Sequence, residues 1–433
     1  MTDVKRLLMV AALALGDVGG AIVADEVSLE EEQYAGWSVS GETIVRWNQN
    51  AVTIANGPAL PMMRELAIVH IAMHDAANAV DRHYETYSRI ARDRRADPAL
   101  AAAAAAHDAL VALKPARVVE IDAMFQNDLA RVTDADARDR SLTVGAAAAN
   151  AILARRANDG SNAMVTYTFG PIEPGVYQPV PPAGTNVAFP HWPRVTPFVM
   201  TSGSQFRQAG PVILSTRTWA RDYNEVRELG RIDSNVRTAD QTHAANFWIE
   251  NPQFATNTIA RTVATANDKG LWDTARAFAL VNVGIMEASI ATWDAKYYFS
   301  FWRPYTAIRG PDGGSVDDGD AATPLDSIWL PLNATPGHPE YPCAHCELSA
   351  AGSVGLTAVY GSRTGFTITT STANPAGSTR TYRSFDHQVE EASASRTWGG
   401  FHYRFSREDG KAAGYAIGRY ILRNEFRPVR RRR

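Results

Sequence analysis

The apolar residues of this chain recur mostly at helical spacing. Within residues 57–81 one stripe is formed by Leu66, Val69, Met73, Ala76 and Val80. Positions three or four apart share one face of a helix, so this stripe predicts a helix. Further helices are predicted over residues 97–116, 136–159, 271–302, 344–360 and 407–426. The segment 271–302 is apolar on most sides, which predicts a central, buried helix.

Local signals at helix ends support these predictions. Asp97 is a good N-cap, and Pro98 suits the first helical position. Pro115 should stop that helix. Gly361 follows the run 344–360, and glycine is the residue that most often terminates a helix.

Two segments lack helical periodicity. Residues 160–212 are rich in proline and glycine and predict a long ordered loop. Residues 361–384 alternate threonine with apolar residues before Asn374-Pro375, which predicts a β-hairpin. The predicted fold is mostly α, with two four-helix bundles, long proline-rich connections and a small β-hairpin.

Boundaries along the chain follow from the same patterns. Residues 40–426 should form one helical unit, in which 40–212 hold the N-terminal helices and the proline-rich excursion, and 213–426 the second bundle. Residues 1–24 resemble a secretory signal peptide, with a basic start and an apolar run, so export is expected. The basic tail 427–433 is expected to be solvated and disordered.

Composition and charge narrow the function classes. The chain has 433 residues, 45% hydrophobic and 21% charged, with a net charge of −3. This balance gives no basic field for nucleic acid. After the N-terminus, no stretch reaches the about 18 apolar residues that a membrane span requires.

The two cysteines, Cys343 and Cys346, flank His345 in the stretch "PCAHC". A C-x-x-C frame is typical of redox disulfides or of half a zinc site, and His70 with His74 could supply further zinc ligands. A third interpretation is that the frame lies at a helix N-terminus, where free N–H groups favour an anion. Under it, the C-x-x-C appearance is incidental, and Cys343 is not half of a redox pair.

Two other segments offer cations for such an anion. Lys296 and Arg303 are seven residues apart, which would place them on one helix face, although Pro304 favours an extended Arg303. Arg396 precedes His402, with two glycines between them. Arginine binds oxyanions as a fork and lysine as a point charge.

Together these three blocks resemble the vanadium-dependent haloperoxidase and type 2 phosphatidic acid phosphatase superfamily, on its bacterial haloperoxidase-like side. The motif K-x6-R-P, P-S-G-H, S-R-x5-H is matched in order and spacing by Lys296-x6-Arg303-Pro304, Pro342-Cys343-Ala344-His345 and Ser395-Arg396-x5-His402.

The resemblance implies vanadate as cofactor, with phosphate able to substitute. His402 would bind the vanadium, and Lys296, Arg303 and Arg396 would neutralise the oxygens. His345 would act as general acid–base. The Cys343 side chain and the Ala344 N–H would occupy the hydrogen-bonding positions of the motif's serine and glycine.

This chain differs from the superfamily motif at some positions and has one nearby carboxylate of interest. Cys343 replaces serine, which puts peroxidase turnover in doubt because a thiol is a weak donor and is oxidisable. Phosphatases of the superfamily carry aspartate where this chain has Ser406. We expect Ser406 to form a capping box with Asp409 for the last helix. Asp294 is a candidate brace for the cationic shell.

The halide pocket is predicted from His338, Trp302 and Tyr341. Algal bromoperoxidases carry histidine at the His338 position and fungal chloroperoxidases phenylalanine, so the resemblance favours bromide or iodide. A loop histidine that caps a turn is the alternative for His338, and core packing the alternative for the two aromatics.

The predicted function is therefore halide oxidation by hydrogen peroxide to hypohalous acid. Partners would be peroxide, halide and a small organic substrate, and a homodimer is compatible with the sequence. The alternatives are an acid phosphatase that acts through a phosphohistidine, and a catalytically silent oxyanion-binding relative.

Overall fold

The N-terminal half is a group of five helices. The structure is a computed structural model, and it describes residues 39–370 and 375–429. The first five helices are α1 (Glu42–Ile54), α2 (Ala59–Val80), α3 (Pro98–Leu113), α4 (Val118–Arg131) and α5 (Ala135–Arg156). Helix α2 is buried almost all round because it packs against α3, α5 and a later central helix.

The second group surrounds the predicted motif. Its helices are α6 (Arg217–Leu229), α7 (Ala239–Phe247), α8 (Pro252–Ala266), α9 (Leu271–Phe299), α10 (Pro304–Arg309), α11 (Ala344–Tyr360), α12 (Phe385–Trp398) and α13 (Arg404–Asn424). Helix α9 is the predicted central helix, and it packs on α2 of the first group and on α11 of the second. The mostly α fold is confirmed.

The predicted helix-end signals act as expected in α3 and α11. The Asp97 side chain accepts a 2.8 Å hydrogen bond from the Leu100 N–H, and Pro98 is the first helical residue. Gly361 follows α11 with φ of 89°, a conformation that other residues rarely adopt. Sequence reasoning missed α1, α4, α6, α7, α8, α10 and α12.

Helices α11 and α13 approach each other very closely. Gly410 and Gly414 lie on α13, one turn apart, and a Cβ at either would clash with the backbone oxygen of Cys343 or Glu347 on α11. Only glycine permits this separation. The contact fixes the N-terminus of α11 beside the segment that enters α13.

The proline-rich excursion is held against α9 without forming an α-helix of its own. It contains two short 3₁₀ turns, Trp192–Arg194 and Gly203–Phe206. The buried Glu287 carboxylate on α9 accepts hydrogen bonds from the N–H groups of Phe198 (2.5 Å) and Met200 (2.6 Å). A carboxylate thus satisfies loop backbone groups that would otherwise be buried without partners.

The β-hairpin is also confirmed. Strands β1 (Phe366–Thr369) and β2 (Thr379–Tyr382) pair antiparallel, with Phe366 opposite Tyr382. The tip, residues 371–374, lies outside the described residues.

The predictions for the termini fall partly outside the described residues. The proposed signal peptide, 1–24, does so entirely, as do residues 430–433 of the basic tail. Residues 427–429 are ordered against residues 83–85, contrary to the expected disordered tail: the Val429 N–H donates to the His83 carbonyl oxygen at 2.9 Å. Among the described residues, no helix is long and apolar enough to cross a bilayer.

Candidate functional site

The first motif block spans a helix end. Lys296 lies in the last turn of α9, which ends at Phe299 because Ser300 takes a left-handed conformation with φ of 47°. Arg303 is therefore not on the same helix as Lys296, and the prediction of a shared helix face was wrong. Instead Arg303 is extended (φ −81°, ψ 155°) and caps α10, whose first residue is Pro304. The two cations still converge on one loop, since Lys296 Nζ donates to the Pro339 carbonyl oxygen and Arg303 Nε donates to the His338 carbonyl oxygen.

The second and third blocks meet at two helix N-termini. Cys343 is the N-cap of α11, and its N–H donates to the Ser406 carbonyl oxygen of α13 at 3.2 Å. Ala344 is the first residue of α11, so its N–H has no acceptor within the helix. Between α12 and α13, Gly400 has φ of 86°, and a Cβ there would approach Pro331 to 2.6 Å. This sharp reversal allows Arg396 and His402 to face one site.

His402 is oriented by a carboxylate that sequence reasoning missed. Its Nδ1–H donates to Glu340 Oε1 at 2.7 Å, and the Tyr403 N–H donates to the same oxygen at 3.2 Å. Nε2 of His402 is thereby left as the lone-pair nitrogen, 3.2 Å from Arg303 Nη1. Burial, followed by the charges of Arg303 and Lys296, lowers the pKa of His402 well below its usual value. Because arginine only donates, Nε2 accepts from Arg303, and His402 is a neutral imidazole whose lone pair faces that guanidinium.

Glu340 itself is buried, which raises its pKa to about 7, against the lowering effect of Lys296, Arg303 and the Ser406 hydroxyl. Its position in the sequence is close to the second motif block. Glu340 lies only three residues before Cys343, in the same "HPEYPC" segment that carries His338. Nothing local links it to His402, so its role became visible only in the folded chain.

The Lys296 ammonium group fixes the loop before α11. Nζ donates to the carbonyl oxygens of Pro339, Glu340 and Pro342 at 2.9, 2.8 and 2.6 Å. Full burial lowers its pKa well below the usual value. Lys296 therefore positions the segment that contains Glu340 and the N-cap of α11.

Arg303 is also fully buried. Nε donates to the His338 carbonyl oxygen at 2.9 Å, and Nη1 to the Phe401 carbonyl oxygen at 3.0 Å. Nη2 lies 2.9 Å from Nδ1 of His338, and the same ring nitrogen lies 3.1 Å from the Pro339 carbonyl oxygen. Burial lowers the Arg303 pKa to about 10.

Arg396 has spare hydrogen-bonding capacity. Its Nη1 donates to the Trp248 carbonyl oxygen at 2.6 Å, and its guanidinium lies 4.5 Å from the centre of the Phe401 ring. Nε is buried and has no hydrogen-bond partner within the ranges that the structure describes. Burial, then the Arg303 charge, lowers the Arg396 pKa to about 9.

His345 and Arg396 both contact the turn that contains Trp248 and Glu250. His345 Nε2 lies 3.2 Å from the carbonyl oxygen of Glu250. A carbonyl only accepts, so Nε2 carries the proton and Nδ1 the lone pair. Burial and the Arg396 charge lower the pKa of His345 well below its usual value.

The site carries an excess of buried positive charge. Within residues 39–370 and 375–429, Lys296, Arg303 and Arg396 form no ion pair with any carboxylate, and most of their contacts are to carbonyl oxygens. The buried Glu340 lies near Lys296 and Arg303 but cannot balance three cations. An excess of buried positive charge is costly, and a bound oxyanion would offset part of that cost. The donor set, with one neutral imidazole nitrogen among three cations, fits vanadate or phosphate.

The prediction for the cysteines was wrong. Cys343 and Cys346 form a disulfide, so Cys343 offers no thiol to a ligand. The C-x-x-C frame is a real covalent pair rather than an incidental spacing. Cys343 still caps α11 at the position of the motif's serine, because its sulfur accepts a hydrogen bond from the Cys346 N–H at 3.3 Å.

The predicted pocket residues separate into two places. His338 is half-buried, next to Trp293 and hydrogen-bonded to Arg303, as described. Trp302 and Tyr341 belong to a buried aromatic cluster, in which Trp302 stacks on Trp219. Both aromatic side chains therefore pack in the core, as the alternative interpretation expected.

Two further expectations were wrong. Ser406 and Asp409 form no capping box, because α13 begins at Arg404 and Ser406 lies inside its first turn. Asp409 accepts from the Tyr341 hydroxyl at 2.6 Å instead. Asp294 is not a brace of the cationic shell, since it pairs with Arg207 at 2.7 Å.

The contacts of His70 and His74 do not support the zinc-site alternative. His70 is hydrogen-bonded to Asn48 at 2.8 Å and His74 lies 3.2 Å from Asp75, both in the core. No group of three His, Cys, Asp or Glu side chains in the described part of the chain could hold a metal ion.

Comparison with known proteins identifies relatives of the second group of helices and of the whole fold. Residues 276–430 match the family described as the VCPO second helical-bundle domain. Vanadium chloroperoxidase from Curvularia inaequalis is 27% identical over 236 residues, 45% of this chain and 37% of that protein. The match therefore spans little more than a third of the relative's length.

Two solved structures are similar over nearly their whole length. A bacterial vanadium-dependent iodoperoxidase superposes with a TM-score of 0.77 and 23% identity, covering 92% of this chain and 99% of that one. A holo-type bacterial vanadium-dependent chloroperoxidase gives a TM-score of 0.68 and 17% identity, covering 90% and 99%. The chain therefore has the helical fold of these bacterial proteins, and residues 276–430 are similar to the VCPO second helical-bundle domain.

Proposed function

We propose that this protein is a vanadate-dependent haloperoxidase that uses hydrogen peroxide to oxidise halide to hypohalous acid. The observation that carries the proposal is the arrangement of His402. Its Nδ1–H is held by Glu340 and its Nε2 is turned toward Arg303, among buried cations. Histidines that bind metals are commonly oriented by a carboxylate on the other ring nitrogen.

Vanadate would be held by the residues that converge there. His402 Nε2 would be the protein ligand, and Lys296, Arg303 and Arg396 would balance the charge of the oxygens. Arg396 Nε is a buried donor that has no partner among the described residues. When bound, vanadate would supply the Lewis-acid centre at which peroxide is activated toward halide.

His345 has the properties of a proton acceptor. Its Nε2 proton is fixed on the Glu250 carbonyl oxygen, so the lone pair at Nδ1 can accept a proton from peroxide. The lowered pKa keeps the ring neutral before this transfer. Return of the same proton from Nδ1 would assist release of water.

The halide is proposed to be bromide or iodide. The proposal rests on His338, which lies beside Trp293 and is hydrogen-bonded to Arg303. The change His338→Phe should raise the rate with chloride relative to bromide, as measured by paired assays at equal halide concentration. An unchanged ratio would exclude His338 as the determinant.

Export is proposed from the sequence of residues 1–24 and is supported by the disulfide. Disulfides persist in oxidising compartments and are rare in the cytosol. Fractionation of cells that express the full chain should find it outside the cytoplasm, and a cytoplasmic, fully reduced protein would contradict this.

The decisive experiment is a vanadate titration combined with a bromination assay. The wild-type protein should bind orthovanadate and brominate a phenol only when vanadate, peroxide and bromide are all present. His402→Ala should lose both properties. His107→Ala is a matched control, because His107 pairs with Asp108 and Asp122 in the N-terminal helices.

The same experiment separates the alternatives. Hydrolysis of an aryl phosphate that vanadate inhibits, without bromination, would identify a phosphatase. Vanadate binding with neither reaction would identify a silent oxyanion-binding relative. Either result would overturn the proposed peroxidase activity.

A further inference from the structure

The turn between α7 and α8 contacts the site through two backbone carbonyl groups. The Trp248 carbonyl oxygen accepts from Arg396 Nη1 at 2.6 Å, and the Glu250 carbonyl oxygen accepts from His345 Nε2 at 3.2 Å. None of the three motif blocks includes this turn. Two of the proposed oxyanion-site residues are therefore oriented by one short segment that lies outside the motif.

The chemistry of a carbonyl gives this contact a definite consequence. A carbonyl oxygen accepts hydrogen bonds and cannot donate. His345 is thus held in the tautomer whose lone pair is at Nδ1. One arm of the Arg396 fork is engaged, while Nε has no partner in the part of the chain that the structure describes. A displaced turn would release both constraints together.

The turn is anchored by the indole of Trp248. This side chain is 2% exposed, and its Nε1–H donates to Glu391 Oε1 at 3.1 Å. Glu391 and Arg396 both lie on α12. Helix α12 consequently holds Trp248 at both ends, at the indole through Glu391 and at the carbonyl through Arg396.

Glu391 is fixed in turn by the β-hairpin. Arg380 on β2 donates from Nε to Oε1 at 2.6 Å and from Nη2 to Oε2 at 2.5 Å. The Tyr382 hydroxyl donates to Oε1 at 2.7 Å. A two-pronged arginine–carboxylate contact is geometrically specific. The Glu391 carboxylate is thus locked in direction before it meets the indole.

We propose that Trp248 and Glu391 are positioning residues for the oxyanion site, acting through the Trp248 and Glu250 carbonyl groups on Arg396 and His345. This inference rests on the proposed function for its catalytic meaning. The physical claim, that the turn sets the His345 tautomer and the Arg396 direction, is independent of which oxyanion reaction the protein performs.

The test uses Trp248→Phe in the full-length protein, which keeps an aromatic ring and removes the donor to Glu391. Orthovanadate and inorganic phosphate are the probes, and each dissociation constant should rise about fivefold, the effect of losing one ordinary hydrogen bond. Nitrogen-15 NMR of histidine should show His345 leaving the single Nε2–H tautomer.

A second variant and a matched control keep the test decisive. Glu391→Gln retains the shape of the side chain, removes its charge, and should weaken anion binding in the same direction. Asp240→Asn is the control, because Asp240 also accepts from Arg380 but is 76% exposed and contacts neither Trp248 nor Glu391. It should leave both dissociation constants and the tautomer unchanged.

The outcomes distinguish the two proposals. Unchanged anion affinity and an unchanged His345 tautomer in the folded variants, with only a lower melting temperature, would show that Trp248 and Glu391 are structural. A wild-type protein that binds phosphate but brominates nothing would overturn the proposed function alone. In that protein the phosphate affinity and the tautomer would still test positioning.

Discussion

Glu340 Oε1 and His402 Nδ1 are 2.7 Å apart although 62 residues separate them in the chain. The sequence offers no carboxylate four residues after His402, where the chain has Ser406. The carboxylate that orients the imidazole is thus present, but it comes from the loop before α11.

Glu340→Gln should weaken vanadate binding by about 10- to 100-fold, the usual cost of removing a carboxylate that orients a metal-binding histidine. The amide loses the negative charge that favours an Nδ1–H donor. Titration with orthovanadate measures the effect. Glu390→Gln is the control, since Glu390 is exposed and pairs with Lys411 at the surface. Equal affinities in wild type and Glu340→Gln would refute the orienting role.

The disulfide predicts a simple thiol count. The denatured protein should show no free thiol before reduction and two after it. Opening the short loop should cost about 2 kcal/mol of unfolding free energy in the chain-entropy view. The variants Cys343→Ser and Cys346→Ser should lose similar stability, as measured by chemical denaturation.

The same two variants differ in chemistry at the site. Only Cys343→Ser installs the hydroxyl that the superfamily motif has at this position, so it should bind vanadate more tightly than Cys346→Ser. Two free thiols in the untreated protein, or equal affinities in the two variants, would contradict this account.

A pH dependence of stability follows from Glu347. Burial on α11 raises its pKa to about 8 from 4.5, against the lowering effect of Thr292 and Lys296. Between these values the folded state keeps a proton that the unfolded chain releases. The stabilisation is therefore complete below about pH 4.5 and is lost as the pH rises through about 8.

Glu347→Gln cannot ionise, so its unfolding free energy should fall less between pH 5 and pH 9 than that of the wild type, by a few kcal/mol at most. Urea denaturation at the two pH values measures this. Glu120→Gln, an exposed site on α4, should keep the wild-type dependence. Parallel curves for the wild type and Glu347→Gln would refute the assignment.

The N-terminus of α13 is capped from α6. Asp222 Oδ2 accepts from the Phe405 N–H at 2.8 Å. Asp222→Ala should cost about 1 kcal/mol of unfolding free energy, typical of a lost cap, and Asp222→Asn should recover most of it. Ser406→Ala should cost less than Asp222→Ala in the same thermal or chemical denaturation. The reverse order would favour the serine as the cap.

The sequence by itself determined the local features. Interactions between residues close together in the chain can be predicted from the sequence alone. Examples are the Asp97 and Pro98 helix start, the Gly361 helix end and the apolar stripe of α2. The three motif blocks also survive in the sequence, because order and spacing identify them without coordinates. The cations Lys296, Arg303 and Arg396 were found this way.

Only the tertiary structure decided which groups complete the site. Several of these groups lie far along the chain from their partners, so no local sequence pattern predicts their contacts. They are Glu340, the Trp248 and Glu250 carbonyl groups, and Asp222. Their contacts depend on how α7, α11, α12 and α13 pack, and on glycines that allow α11 and α13 to touch. The Cys343–Cys346 spacing left bonding undecided, because C-x-x-C permits a disulfide but does not require one.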